Sequence, residues 1–365
     1  MHMRRGILTV AAAGLLTAGS LTACGGDSGG AAAGRPKPKI GVILPDSGSS
    51  NRWETADRRY LAAAFNAAGV DYDIQNAQND KARFVTIAEQ MITNGVTALM
   101  ITNLDSGTGK TVLDKATQKG VATIDYDRPT LGGSAQYYVS FDNVAVGRLQ
   151  GEGLVRCLTD KGVRNPVVAA LNGAPTDNNA AQLKEGYDSV LGPKYAAGGY
   201  VKGPDQPVPE WNNTVGGTIF EQMLTQTGGR IDGVLAANDG LANAVISVLA
   251  KNKLNGRIPV TGQDADAQAL QHILSGDQCM TVYKPIRQQA EAAAALAIAL
   301  ARGERKKVDQ VFRDPEGNRD VPAVLLAAHP ITREAVKNVI ADGYVSKDAV
   351  CAGRYAALCD SAGVS

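Results

Sequence analysis

The chain has 365 residues, a formal net charge of +1 and 20% charged residues. That balance leaves no concentrated basic face for nucleic acid, and the run "RGERKK" at 302–307 reads as a solvated turn after a helix. About 330 residues behind an N-terminal leader are enough for two domains of ordinary size.

The chain opens "MHMRRGILTVAAAGLLTAGSLTACGG". Arg4 and Arg5 precede an apolar stretch and then small residues, the layout of a secretory signal over 1–23, too short for a membrane span. Leu21-Thr22-Ala23-Cys24 resembles the lipobox of bacterial lipoproteins, which implies a lipidated Cys24. Lipid chains there would hold the protein on the outer face of the cell membrane without a spanning helix. Residues 24–38 are rich in Gly, Ala and Pro and predict a flexible tether. Gly26-Asp27-Ser28-Gly29-Gly30 matches G-x-S-x-G, but no strand precedes it and no helix follows, so it is not a hydrolase elbow.

Strands and helices then alternate. "KIGVILP" (39–45) reads as a strand; residues 52–69 read as a helix, with Tyr60, Leu61, Ala64, Phe65 and Ala68 on one face. Strands at 71–77, 97–103 and 121–127 enclose helices at 82–95 and 110–120. Gly69, Gly95 and Gly120 are the helix stops. After "QYYVSFDN" (136–143) the rhythm restarts, with helices at 144–158, 179–191, 214–229, 241–252 and 267–276. Strands are expected at 166–173, 231–239, 258–264 and 279–284, before a long Ala-rich helix at 286–302. Such alternation predicts an α/β fold of parallel sheets covered by helices, in two similar Rossmann-like lobes.

"NLDSGTGKTV" (103–112) has the look of a phosphate-binding loop. The motif needs a Gly where Leu104 stands, so the stretch reads as a strand end and a helix start, with Asp105, Ser106 or Thr108 as N-cap. Nearly every apolar run ends in a polar cluster: "ILPDSGSSNRW", "TIDYDRP", "ALNGAPTDNN", "LAANDG", "VTGQDAD", "TVYKP". Ligands bind beyond the carboxyl ends of such strands. Planar side chains with two hydrogen-bonding atoms suit vicinal hydroxyls, and Arg128 beside Asp127 would strengthen such bonds. Trp53 and Trp211, the two tryptophans, both fall in these loops and offer apolar faces for a sugar ring.

Besides Cys24 there are Cys157, Cys279, Cys351 and Cys359. In an exported chain they can form disulfides in three pairings; sequence does not choose, although Cys351–Cys359 with Cys157–Cys279 is the preferred set. None has zinc-ligand spacing, and His2, His272 and His329 are scattered, so no metal site is expected.

The pieces "YDR" (126–128), "YVSFDN" (138–143), "DNNA" (177–180), "ND" (238–239), "GQDAD" (262–266) and "MTVYKP" (280–285) occur in order. With them the chain resembles the periplasmic sugar-binding proteins of ABC transporters, in the ribose- and xylose-binding group, from about Lys39 to about Tyr344. The resemblance implies three hinge crossings, near Ser140–Asn143, Val282–Pro285 and Val321–Ala327. It implies a first lobe of 39–141 plus 285–322, a second of 142–284, and a last crossing and tail at 323–365. Arg52, Trp53, Asp127 and Arg128 would bind sugar from the first lobe; Asn178, Asn179, Trp211, Asn238 and Asp264 from the second; Lys284 from a hinge. "NRW" is similar to the xylose binders, which implies D-xylose as ligand, with another pentose, a hexose or a polyol as the alternative. It further implies a monomer that needs no cofactor and delivers sugar to a membrane permease.

Other readings are open to test. Asp127 and Asp264 could be the paired carboxylates of a glycoside-cleaving enzyme, but Arg128 argues for ionised acceptors instead. A sugar-responsive DNA-binding regulator would need a helix-turn-helix where the leader stands. A sensor lobe that signals without transport has the same sequence signature. Asn238 or Asp264 could also serve only as helix caps.

Overall fold

The computed structural model describes residues 37–364. The predicted signal, Cys24 and nearly all of the tether lie outside the described residues. The chain begins β1 (Lys39–Leu44), α1 (Arg58–Ala67), β2 (Asp71–Asn76), α2 (Lys81–Thr93), β3 (Ala98–Ile101), α3 (Ser106–Gln118), β4 (Ala122–Tyr126) and β5 (Tyr137–Phe141). It continues α4 (Asn143–Asp160), β6 (Val167–Asn172), α5 (Asn178–Ala196), β7 (Val201–Pro207), α6 (Asn213–Gln226), β8 (Gly233–Ala236), α7 (Asp239–Lys251), α8 (Ala267–Ser275) and β9 (Thr281–Tyr283). Then come α9 (Ile286–Ala301), β10 (Gln310–Asp314), β11 (Arg319–Leu326), β12 (His329–Ile331), α10 (Val336–Ala341), α11 (Lys347–Val350) and α12 (Ala356–Ser361).

The first sheet has the order β10-β11-β5-β4-β3-β1-β2. It is parallel except for β10, which pairs antiparallel with β11. β3 is buried along its whole length, and only Lys39 of β1 is partly open, as in a sheet covered on both faces. The second sheet has β7-β6-β8, all parallel. Its ladder continues through residues 259–262: Thr261 N donates to Val234 O at 3.1 Å and Cys279 N to Val260 O at 2.9 Å. Val282 N donates to Gly262 O at 3.1 Å, which joins β9 and its antiparallel partner β12 to this lobe. The result is two Rossmann-like α/β lobes.

The chain passes between the lobes three times: at Asp142 between β5 and α4, at Lys284-Pro285 between β9 and α9, and between β11 and β12. The crossings are tied together, since Asp142 N donates to Leu326 O at 3.1 Å. In the second lobe α4 and α5 cross backbone against backbone. A methyl on Gly147 would meet the Leu183 carbonyl, and one on Gly186 the Val144 carbonyl, so the crossing requires glycine at both.

Strands at 201–207, 310–314 and 319–326 are not expected from the sequence. β7 contains Pro204 and Pro207 and lies at a sheet edge, where a missing N–H is tolerated. β10 is mostly exposed and also an edge strand, so neither carries the apolar run that marked the others. The phosphate-loop lookalike is the first turn of α3. Asp105 is its cap, accepting from Thr108 N at 2.7 Å, and Lys110 makes an exposed pair with Asp114 at 2.6 Å.

Disulfides join Cys157 of α4 to Cys279 (Cα–Cα 6.4 Å) and Cys351 to Cys359 (5.8 Å). The second closes the C-terminal tail, which docks on α8: Gln271 donates to Ala349 O and Val350 O. The turn at 342–344 reaches the first lobe, where Tyr60 OH donates to Gly343 O at 3.2 Å.

Candidate functional site

The loop after β1 is folded by Asp46, whose Oδ1 accepts from Gly48 N and Ser49 N. It delivers Arg52 and Trp53 at the head of a five-residue π-helical turn, Trp53–Asp57. Such turns are rare and favour functional sites. After β4 the chain enters the left-handed region at Asp127 (φ +67°), an unusual conformation for a side-chain-bearing residue. The Asp127 carbonyl is held there by Ser140 Oγ at 2.7 Å and Tyr138 OH at 3.1 Å. From the second lobe come the N-terminus of α5, the turn at Trp211, Asn238 before α7, and the Gln263-Asp264 turn; Lys284 stands at the hinge.

These ends enclose a narrow cavity of about 30 Å³ between the lobes. Arg52, Trp53, Asp127, Arg128, Asn179, Trp211, Asn238, Asp264 and Lys284 line it. Asn178 does not. Its Nδ2 donates to Ser106 Oγ at 2.8 Å and Pro129 O at 3.0 Å, a clasp across the lobes. Consecutive helical residues face different ways, so of the pair only Asn179 meets the cavity. Ser49, Ser50, Asn143, Asp177, Leu183 and Gln263 also line it and were not singled out in the sequence. Asp177 was legible as the N-cap of α5, the first residue of "DNNA".

The first-lobe half is a buried charge network. Arg52 holds Asp57 through Nε (2.9 Å) and Nη2 (2.8 Å), and Asp127 Oδ2 through Nη1 (3.0 Å). Its guanidinium lies 4.3 Å from the centre of the Trp53 ring. Tyr126 OH donates to Asp57 at 2.6 Å. Burial alone would raise the Asp127 pKa, but Arg52, Lys284, the Gln289 hydrogen bond and Arg128 outweigh it and bring it to about 2. Asp127 is therefore a fixed anionic acceptor.

The second-lobe half supplies donors and open acceptors. Asn179 Nδ2 reaches Asp127 O (2.9 Å) and Oδ1 (3.3 Å). Arg128 Nε pairs with Asp177 at 2.9 Å, and Ser50 Oγ donates to Asp264 Oδ2 at 2.9 Å. Lys284 Nζ pairs with Asp264 Oδ1 at 2.9 Å, and Gln263 Oε1 is a buried acceptor with no donor among the described residues. Asn238 is both a cap and a lining residue: Oδ1 caps α7 through Leu241 N, and Nδ2 donates to Ser49 O across the lobes. Asp264 caps nothing; Asp266 is the cap of α8. Trp211 donates Nε1–H to Asp177 at 3.0 Å. Its ring lies against Gly173, where a Cβ would overlap it.

Among the described residues no His/Cys/Asp/Glu group could hold a metal, and no helix is long and apolar enough to cross a membrane. Two α/β lobes hinged at three crossings, with a polar and aromatic cavity between them, define a class: proteins that enclose a small polar solute.

The model of the periplasmic binding protein domain matches residues 40–305. The chain is 33% identical over 307 residues to the D-xylose-binding periplasmic protein of Escherichia coli, covering 84% of this chain and 90% of that one. It is 29% identical to a multiple sugar-binding periplasmic receptor of Rhizobium radiobacter, over 84% and 90% of the two chains. A carbohydrate transporter solute-binding protein of Chloroflexus aurantiacus, crystallised with D-glucose, superposes with a TM-score of 0.77 at 28% identity. The match covers 85% of this chain and 97% of that one. The chain belongs to the periplasmic binding protein family, a family of extracytoplasmic solute-binding proteins rather than enzymes.

Proposed function

We propose that this protein is the sugar-binding component of an ABC importer, that it closes its lobes on one monosaccharide, D-xylose, and that it delivers the sugar to a membrane permease. The observation that carries the reading is the interlobe cavity bounded by Trp53 and Trp211 and ringed by Asp127, Asp264, Asn179, Asn238, Arg128 and Lys284. Two apolar faces and a ring of planar donors and acceptors match the faces and edges of a pyranose. Similarity to the xylose binder of Escherichia coli supports the choice of sugar.

A site for a small ligand holds about 300 Å³ or more, against about 30 Å³ in this closed form. Sugar therefore enters an open form. Its hydroxyls then take over bonds that the lobes now make directly, Asn179 to Asp127 and Ser50 to Asp264 among them. Binding favours closure because sugar meets both lobes only when they are closed; periplasmic binding proteins are a standard example of such hinge motion. Within this reading Arg52 and Lys284 act as charged partners of Asp127 and Asp264, the chain works as a monomer, and a lipid on Cys24 anchors it outside the cell membrane.

A glycosidase reading finds no acid in Asp127, which is held at about 2 where that chemistry needs a raised pKa, and the relatives are solute-binding proteins. A broader sugar range is the second reading, favoured by the multiple-sugar relative and the glucose-bound structure. Isothermal titration of the chain from Gly25 onward with D-xylose, D-glucose, D-ribose and L-arabinose tests both. One-to-one xylose binding, lost in Asp127→Ala, supports the proposal; another sugar corrects the ligand; heat from none of them overturns it.

A further inference from the structure

The bonds around Asp127 are unequal on its two carboxylate oxygens. Oδ2 receives Arg52 Nη1 at 3.0 Å and Gln289 Nε2 at 3.1 Å. Among the described residues, Oδ1 receives only Asn179 Nδ2, at 3.3 Å and from the opposite lobe. Gln289 lies in the first turns of α9, just past the hinge at Lys284-Pro285, and is completely buried. It lines no part of the cavity. Its Oε1 accepts from Arg52 Nη2 at 2.9 Å, so one planar amide touches both members of the Arg52–Asp127 pair.

The amide orientation is fixed by its surroundings. Nε2 also donates to Val139 O at 3.3 Å. A flipped amide would set oxygen against two acceptors and NH₂ against a guanidinium, so all three partners select the observed arrangement. The other amide side chain, Asn, is one methylene shorter.

We propose that Gln289 is a positioning residue for ligand binding: it pins Asp127 Oδ2 and Arg52 Nη2, so that Asp127 presents Oδ1, and Arg52 its remaining Nη1–H, to the solute. The proposal rests on the sugar-binding reading above. An apolar residue here leaves a buried guanidinium N–H and a carboxylate lone pair unmatched, which is costly in the interior. An ionised Glu adds a carboxylate beside Asp57 and Asp127, with Arg52 as the cation in contact. A protonated Glu restores the two bonds to the ion pair, because its O–H donates to Asp127 while its C=O accepts from Arg52, and gives up only the bond to Val139 O.

The test is titration of unmodified protein, Gln289→Met and Gln289→Glu with D-xylose, then D-glucose, between pH 8 and pH 5, with thermal unfolding as a folding control. The unmodified protein is expected to bind equally across that range. Gln289→Met is expected to bind about tenfold more weakly at every pH. Gln289→Glu is expected to be at least as weak at pH 8 and to regain affinity as pH falls, a recovery that a packing role would not produce. Folded variants that bind within twofold of the unmodified protein at pH 8 overturn the proposal. If Gln289→Glu does not fold, Gln289→Met alone decides. An unmodified protein that binds neither sugar refutes the sugar reading and this inference with it; unchanged variants of a protein that binds refute the inference only.

Discussion

Asp127 is where left-handed backbone and buried charge meet at the wall of the cavity. Its folded pKa of about 2 lies below the ordinary carboxylate value, so its stabilising contribution is complete above about pH 4 and is lost as pH falls toward 2. Sugar affinity should accordingly be flat from pH 8 to pH 4 and collapse only below, as measured by titration at stepped pH. Asp127→Asn keeps a residue that tolerates positive φ but removes the charge facing Arg52; folding should survive and affinity should fall by roughly a hundredfold, about 2.7 kcal/mol. Gly173→Ala, which sets a methyl into the Trp211 ring, should weaken binding and shift tryptophan fluorescence without unfolding the second lobe. Most of this site was legible because its residues end apolar runs. Asn178 was not separable from Asn179, since adjacent polar residues at a helix start look alike in sequence and differ only in direction. Gln289 carries a readable signal: it falls on the same helical face as Ile286, Ala290, Ala293 and Leu296, a polar residue at a core position.

At the scale of elements, the two disulfides close loops of very different length. Cys157–Cys279 spans 122 residues and Cys351–Cys359 spans 8. By loop-closure entropy the first contributes about 5 kcal/mol and the second about 2.5 kcal/mol. Denaturant unfolding of Cys157→Ser/Cys279→Ser should show the larger loss, with Cys351→Ser/Cys359→Ser intermediate, and both variants should still bind sugar. Equal losses would mean that strain or residual unfolded-state structure dominates. The parallel core strands were legible as apolar runs bounded by glycine. β7 and β10 were not, because edge strands tolerate proline and exposed charge; β11, an inner strand between β10 and β5, lies where the sequence suggests a hinge crossing. The strand at 259–262 was legible from its β-branched residues and is held by ladder bonds on both sides.

The whole molecule is a closed form held by direct bonds between lobes. Asn178 to Ser106 and Pro129, Asn238 to Ser49, and Asn79 to Glu210 all cross the cleft. These clasps lie around the cavity, so under the proposed function closure and ligand contact are one event. Asn178→Ala removes a clasp without removing a cavity-lining group; it should weaken binding only a fewfold, by loosening the closed state, with an unchanged ranking of sugars. The tail adds a tie beside the hinge, where Tyr60 of α1 holds Gly343 and the rings of Tyr283 and Tyr344 lie 5.2 Å apart.

The most direct test of the account is a crystal structure of the protein grown with D-xylose. The account predicts one sugar between the Trp53 and Trp211 rings, with a hydroxyl on Asp127 Oδ1 and others on Asp264 and Asn179. Sugar bound outside this cavity, or a closed cleft unchanged beside saturating sugar, would contradict it.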